Sequence, residues 1–171
     1  MLDNLADAAS SGDIDEVLAN IPADQVAALR PYARTYEDIF ATGATSFDVS
    51  VDGVDTDTQD LGGDLTKLTV QKGTVYGSYS DTDGYGAGGS ASIDGRCASA
   101  AEDGDSPDDF CIEGEIVEKT GIDSFFLVLR KVDGGYQVDP IATAVEYARI
   151  TIESAPSSLV DDALDELQDN M

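Results

Sequence analysis

The stretch FFLVLRKVDGGYQVDPIATAVEYA, residues 125–148, combines the most apolar run of the chain with a turn signal and a helix signal. Residues 125–132 predict a strand near the centre of a sheet, because a continuous apolar run is typical of a strand that is buried on both faces. Asp133-Gly134-Gly135 predicts a tight turn into a partner strand at residues 136–138. Asp139-Pro140 then predicts the start of a helix, since proline suits the first helical position.

Upstream of this stretch, the spacing of apolar residues changes from helical to alternating. Residues 2–42 have apolar residues at helical spacing, and Pro31 is expected to kink or split the last helix of this segment. From residue 45 the period is two, which predicts strands. A turn is expected at Asp52-Gly53, a polar loop over residues 55–64 and a further strand around residues 111–117.

This order of elements predicts an α+β fold in a single domain over residues 1–171. Its parts are helices over residues 2–42, an antiparallel sheet over residues 45–138 and C-terminal helices over residues 140–169. The first C-terminal helix is expected to bury a stripe that consists of Ile141, Ala144, Val145, Ala148 and Ile152. A final helix is expected to carry the apolar residues Leu159, Val160, Ala163, Leu164 and Leu167.

The chain carries 35 acidic and 9 basic residues, and its net charge is −26. A field of this sign repels phosphate backbones and anionic membrane surfaces, so we expect no nucleic-acid partner. The same field attracts cations and requires screening by salt. An acidic surface that keeps the protein hydrated is the simpler interpretation, and we prefer it to a specific acidic function.

Two cysteines, Cys97 and Cys111, flank an acidic segment that we expect to form a loop, and their spacing fits neither a CxxC motif nor a zinc site. We predict a disulfide between them, which would add about 3 kcal/mol of stability in the chain-entropy model. Two separate buried thiols are the alternative. A disulfide would place the protein in an oxidising compartment.

The first residues, MLDNLADAAS, lack the basic and apolar regions of a signal peptide. No run elsewhere is long and apolar enough to span a bilayer, so this chain is not expected to insert into a membrane. The expected disulfide nevertheless favours an extracytoplasmic domain, either secreted or anchored. Because no signal peptide is visible, we expect the signal or anchor to lie in a segment outside this chain.

Acidic segments offer weak candidates for calcium binding at Asp55 and Asp57 and at Asp81 and Asp83. Their spacing does not fit an EF-hand, which needs a glycine at position six and a glutamate at position twelve. Solvated turns are the preferred interpretation, so we predict no metal site and no cofactor.

The chain is poor in residues for nucleophilic catalysis. It has no histidine to act as a base, no GxSxG motif and no P-loop lysine, so no catalytic residue is assigned. Tyr76, Tyr79 and Tyr136 are candidates to line a ligand pocket, although packing within strands explains them equally well.

Two segments resemble parts of known extracytoplasmic domains. GDIDEVLANIPADQVAALRPYA, residues 12–33, and the stretch at residues 125–148 resemble the opening and the ending of domains in actinobacterial membrane proteins and lipoproteins. Those domains look like members of the NTF2-like (cystatin-like) group. The resemblance implies a cone in which N-terminal helices pack in the concave face of a curved antiparallel sheet. It covers about a quarter of the chain and carries over no catalytic residue.

These observations predict a non-catalytic extracytoplasmic module of the bacterial cell envelope, monomeric or dimeric, that binds a small ligand or an envelope protein. One alternative is an NTF2-like isomerase or dehydratase with an Asp/Tyr site, which a deep apolar cavity holding a carboxylate of raised pKa would favour. The other alternative is a calcium-stabilised surface or adhesion module.

Overall fold

The computed structural model describes residues 2–11, 13–40, 44–81, 83 and 85–155. The helices are α1 (Leu2–Ser11), α2 (Ile14–Leu18), α3 (Ala23–Phe40), α4 (Gly114–Thr120) and α5 (Pro140–Ser154). The strands are β1 (Ala44–Gly62), β2 (Leu65–Asp81), β3 (Gly86–Asp94), β4 (Cys97–Glu102), β5 (Asp108–Cys111), β6 (Phe126–Val132) and β7 (Gly135–Val138). The predicted α+β class is confirmed, and the expected helix after α5 lies outside the described residues. None of the described helices has the length and apolar character required to cross a membrane.

All seven strands form one open antiparallel sheet in which β2 is the branch point. β1 pairs with β2 along nearly its whole length, from Gly62 opposite Leu65 to Ala44 opposite Asp81. β3 and β6 therefore both lie along the other edge of β2, one after the other. β3 is followed outward by β4 and β5, and β6 by β7, so the sheet divides into two branches.

The prediction of a turn at Asp52-Gly53 is wrong, because β1 continues through these residues with a β-bulge. Residues 53–54 of β1 face the single residue Gly73 of β2. Gly53 has a φ of 61°, a left-handed conformation that glycine adopts without strain. The prediction of a polar loop over residues 55–64 is also wrong, because β1 continues to Gly62. Backbone pairing with β2 holds this segment as a strand although its side chains show no apolar pattern.

The strand expected around residues 111–117 is wrong beyond Cys111, because helix α4 begins at Gly114. A short apolar run does not distinguish a helix from a strand by its period. Gly121 ends α4 in a left-handed conformation, and it lies so close to the Ser154 side chain of α5 that a larger residue would clash.

The hairpin and the helix start predicted from residues 125–148 are confirmed. β6 pairs with β2 on one side and with β7 on the other, and Val128 in its middle is completely buried. Asp139 caps α5, since its carboxylate accepts a hydrogen bond of 2.8 Å from the Ala142 amide. Pro140 occupies the first turn of the helix, as expected.

Helix α5 packs on β6 through a different face from the one expected. Tyr147 stacks on Phe126 with ring centroids 3.9 Å apart. Glu146, the preceding residue, is also buried. Its carboxylate tolerates burial because Arg149 donates hydrogen bonds of 2.7 and 2.8 Å to it. The predicted buried stripe is instead exposed at all five positions, Ile141, Ala144, Val145, Ala148 and Ile152.

Helix α1 packs against β1, which is an edge strand in the described part of the chain. The Ser10 hydroxyl donates a hydrogen bond of 3.0 Å to the Val49 carbonyl and accepts one of 2.7 Å from the Val49 amide. These two bonds satisfy backbone groups that a neighbouring strand would otherwise pair. They also fix Ala6 and Ala9 of α1 over one face of the sheet.

Candidate ligand-binding cavity

An apolar cavity of about 610 Å³ lies between α1 and the branch of the sheet that contains β3, β4 and β5. Two rows of directly opposed residues form much of its wall, and opposed residues of antiparallel strands project to the same face. The first row runs from β1 to β5 through Val51, Val75, Ala91, Ala100 and Asp108. The second row contains Val54, at the bulge, and then Gly73, Ile93, Ala98 and Phe110.

Small side chains in the middle of both rows give the cavity its depth. Ala91 and Ala100 stand between Val75 and Asp108 in the first row. At Gly73 in the second row an added Cβ would lie 3.3 Å from the Val54 side chain, so a larger residue would press against the bulge. The bulge and the small residues together therefore shape this concave surface.

Large apolar side chains of the cavity are open to solvent. Val75 is 43% exposed and Phe110 is 56% exposed. Phe110 meets Phe125 edge to face, with ring centroids 6.5 Å apart. Exposed apolar surface that lines a concavity is more typical of a binding site than of a packed core.

The disulfide closes the hairpin that forms the outer wall of the cavity. Cys97 and Cys111 lie opposite each other in the β4–β5 ladder and are bonded, which confirms the predicted pairing. Ala98, Ala100, Asp108 and Phe110 all belong to the segment that this bond closes. β5 has only four residues, so the covalent link helps to hold it beside β4.

A wider cleft of about 980 Å³ adjoins the cavity and shares with it four residues of the first row, Val75, Ala91, Ala100 and Asp108. Three carboxylates, those of Glu102, Asp105 and Asp108, line this cleft, and we call them the acidic rim. None of the three takes part in an ion pair among the described residues. Asp108 is also the sole titratable side chain among the described residues that line the apolar cavity.

The structure does not bring the three candidate pocket tyrosines together. Tyr76 and Tyr79 are three residues apart on β2, so their side chains project to opposite faces, while Tyr136 lies on β7 in the other branch. All three are about half exposed, and none lines the apolar cavity.

The calcium candidates are also dispersed. Asp55 and Asp57 lie on β1, Asp81 ends β2, and Asp83 follows in a turn. Asp57 accepts a hydrogen bond of 3.0 Å from the Gln71 side chain. Within the described ranges, no three or more Asp, Glu, Cys or His side chains are grouped so as to hold a metal ion.

Among the residues that the structure describes, the most deeply buried carboxylate belongs to Asp139, which does not line this cavity. It accepts hydrogen bonds of 2.6 Å from the Gln25 amide and 2.8 Å from the Arg130 guanidinium. Burial opposes its ionisation, but the bonds from Ala142 and Gln25 and the charge of Arg130 outweigh burial. The pKa of Asp139 therefore lies below its usual value, the reverse of what a general acid requires.

Sequence interpretation missed the cavity residues on β4 and β5, because it treated the segment between the cysteines as a loop. The sequence signal is weak. Ala98 and Ala100 alternate with Ser99 over only three residues, and Asp108 is as polar as its neighbour Asp109, so no apolar alternation marks β5.

Comparison with known proteins found no protein-family model, no curated protein and no solved structure that matches this chain. The resemblance to NTF2-like domains therefore stays a prediction.

Proposed function

We propose that the protein is a non-catalytic, extracytoplasmic module that binds a small apolar ligand in the cavity between α1 and the sheet. The observation that carries the proposal is the cavity itself, about 610 Å³ in volume and walled by apolar side chains. Ligand pockets typically have volumes of roughly 300–1,000 Å³ and predominantly apolar linings. The cavity matches both properties.

The free energy of binding would come from covering the exposed apolar wall. Val54, Val75 and Phe110 each expose more than a third of their surface beside the cavity. Removing apolar surface from water contributes about 25 cal/mol per Å². A ligand seated against these side chains would therefore gain affinity without any charged contact.

The disulfide supports the extracytoplasmic part of the proposal. Disulfides persist in oxidising compartments and are rare where thiols are kept reduced. The bond between Cys97 and Cys111 also lies in the wall of the proposed site, so the same compartment would keep the site intact.

The enzymatic alternative needs a carboxylate whose pKa is raised inside an apolar cavity. Asp139 is completely buried, but its pKa is lowered and its carboxylate is held by Gln25 and Arg130. Asp108 touches the cavity but is exposed to solvent. These two observations favour binding over acid–base chemistry.

Binding of the neutral fluorescent dye Nile red tests the proposal. The dye should become strongly fluorescent with the wild-type protein, because it would enter an apolar environment. Ala91→Leu should weaken binding about tenfold, since the added side chain occupies the cavity.

Ala87→Leu is the matched control. Ala87 is also an exposed alanine on the same face of β3, about 13 Å from Ala91 along the strand and outside the cavity. The Ala87→Leu protein should bind the dye as the wild type does. Circular dichroism checks that both variants fold. Absence of dye binding, or equal binding by the folded Ala91→Leu protein, would refute the proposal.

A further inference from the structure

We infer that the ligand has an apolar body and a cationic head group, because the cavity opens at an edge where a carboxylate and an aromatic ring stand side by side. This inference rests on the proposed function and specifies the chemistry of its ligand.

The carboxylate and the ring are the last members of the two rows that form the cavity wall. Asp108 ends the first row and Phe110 ends the second, so both project from the same face of β5. Residues two apart on a strand are separated by about 7 Å. A small cationic group between them could contact both the carboxylate and the face of the ring. Carboxylates attract such a group by charge, and aromatic rings attract it by their negative faces.

The segment between the two cysteines carries charge of one sign. Residues 98–110 contain five acidic residues and no lysine or arginine. Glu102 and Asp105 line the adjoining cleft, to which Asp108 also belongs. Because no described cation pairs with the acidic rim, its carboxylates remain available to an incoming positive charge.

The apolar cavity and the rim select different parts of one molecule. A fatty acid or another apolar anion would place its negative charge against Asp108 and would be repelled. A neutral apolar molecule would gain the cavity contacts alone. An amphipathic cation, such as an alkyl ammonium compound, would gain both sets of contacts.

Three octyl compounds separate these cases, namely octyltrimethylammonium, 1-octanol and octanoate. The two ions are titrated below their micelle concentrations and the alcohol below its solubility limit. Amide NMR would follow the titrations in about 150 mM sodium chloride, which limits the long-range field of the protein to about 8 Å. We expect the cation to bind most tightly, the alcohol less tightly and the anion most weakly. Resonances of Ala91, Ala100 and Phe110 should shift, since these residues line the cavity.

Two variants that remove the same charge test the role of Asp108. Asp108→Asn should weaken binding of the cation about threefold to fivefold and leave octanol unchanged. Asp109→Asn is the matched control, because Asp109 is the next residue on β5 and projects to the other face. It should change neither affinity. Phe110→Leu should weaken binding of the cation more than binding of the alcohol, because the substitution removes the aromatic ring and keeps an apolar side chain.

Each result has a distinct meaning. If neither octanol nor the cation binds, this inference is refuted, and the Nile red result decides separately whether the proposed function stands. If octanol binds and octanoate binds as tightly as the cation, the cavity stands and the cationic head group is refuted. The inference is also refuted if Asp109→Asn weakens the cation as much as Asp108→Asn does, since the net charge would then explain the preference.

Discussion

At the scale of single residues, Asp139 joins three parts of the fold. Its carboxylate caps α5, accepts a hydrogen bond from Gln25 on α3 and pairs with Arg130 on β6. Arg130 also reaches Asp24 at 3.2 Å. A buried charge is tolerated when it is paired and hydrogen-bonded in this way, and losing its partners would leave it uncompensated.

Replacement of Asp139 should destabilise the fold more when more of its hydrogen bonds are removed. Asp139→Ala deletes the cap and the buried bonds and should lower the free energy of unfolding by about 3 kcal/mol. Asp139→Asn keeps a side-chain oxygen for the cap and should lose less. Urea denaturation measures both values, and an Asp139→Ala protein as stable as the wild type would contradict this role.

The same substitution predicts a change in acid stability. Because the pKa of Asp139 is lowered in the folded state, its ionised form stabilises the fold at pH values above its usual pKa of 3.8. That contribution is lost as the pH falls below this value. The difference in stability between wild type and Asp139→Asn should therefore stay constant above about pH 5 and shrink as the pH falls from there toward pH 3. A constant difference would show that the charge of Asp139 contributes nothing.

At the scale of elements, the β4–β5 hairpin connects the disulfide to the proposed site. β5 is a four-residue strand at the end of its branch, and it pairs only with β4 among the described strands. Such a short edge strand has few backbone hydrogen bonds to hold it. The bond between Cys97 and Cys111 therefore stabilises the hairpin and also holds Asp108 and Phe110 in position.

Removal of the disulfide should affect stability and ligand binding together. The double variant Cys97→Ser and Cys111→Ser should lose about 3 kcal/mol of stability and bind Nile red more weakly than the wild type. Dithiothreitol should have the same two effects on the wild type and none on the variant. Intact mass before and after reduction verifies the bond. Unchanged dye binding after complete reduction would show that the cavity does not depend on this link.

At the scale of the whole molecule, the net charge of −26 opposes the compact state. The described structure contains few ion pairs for so many carboxylates, and most of them are at the surface. Five aspartates along β1 also keep its long edge charged, which discourages pairing with another chain. Stability should therefore depend on screening by salt.

The melting temperature should rise as sodium chloride increases from about 0.01 to 0.15 M, because the screening length falls from about 30 to about 8 Å. Magnesium and calcium chloride at matched ionic strength provide the comparison for the calcium-stabilised alternative. Equal shifts with the two divalent cations would indicate screening alone. A larger shift with calcium would indicate specific binding, and a melting temperature independent of salt would contradict the repulsion argument.

Local chemistry made some features predictable and others not. The turn after β6, the cap at Asp139 and the disulfide depend on residues that are near in sequence or unique in type. Helix α5 shows the limit of that approach. Its apolar stripe has helical spacing, yet Glu146 and Tyr147 face the sheet because Arg149 and Phe126 provide partners for them. Hydrophobicity alone could not identify this inner face.

The sequence by itself determined the α+β class, the acidic character and the pairing of Cys97 with Cys111, since each follows from composition or local order. Only the tertiary structure decided where a ligand could bind. Residues such as Ala91, Ala100 and Asp108 are distributed over three strands and carry no motif. They become one surface because the antiparallel register aligns them on the same face of the sheet, and register is a property of strand pairing across the whole fold.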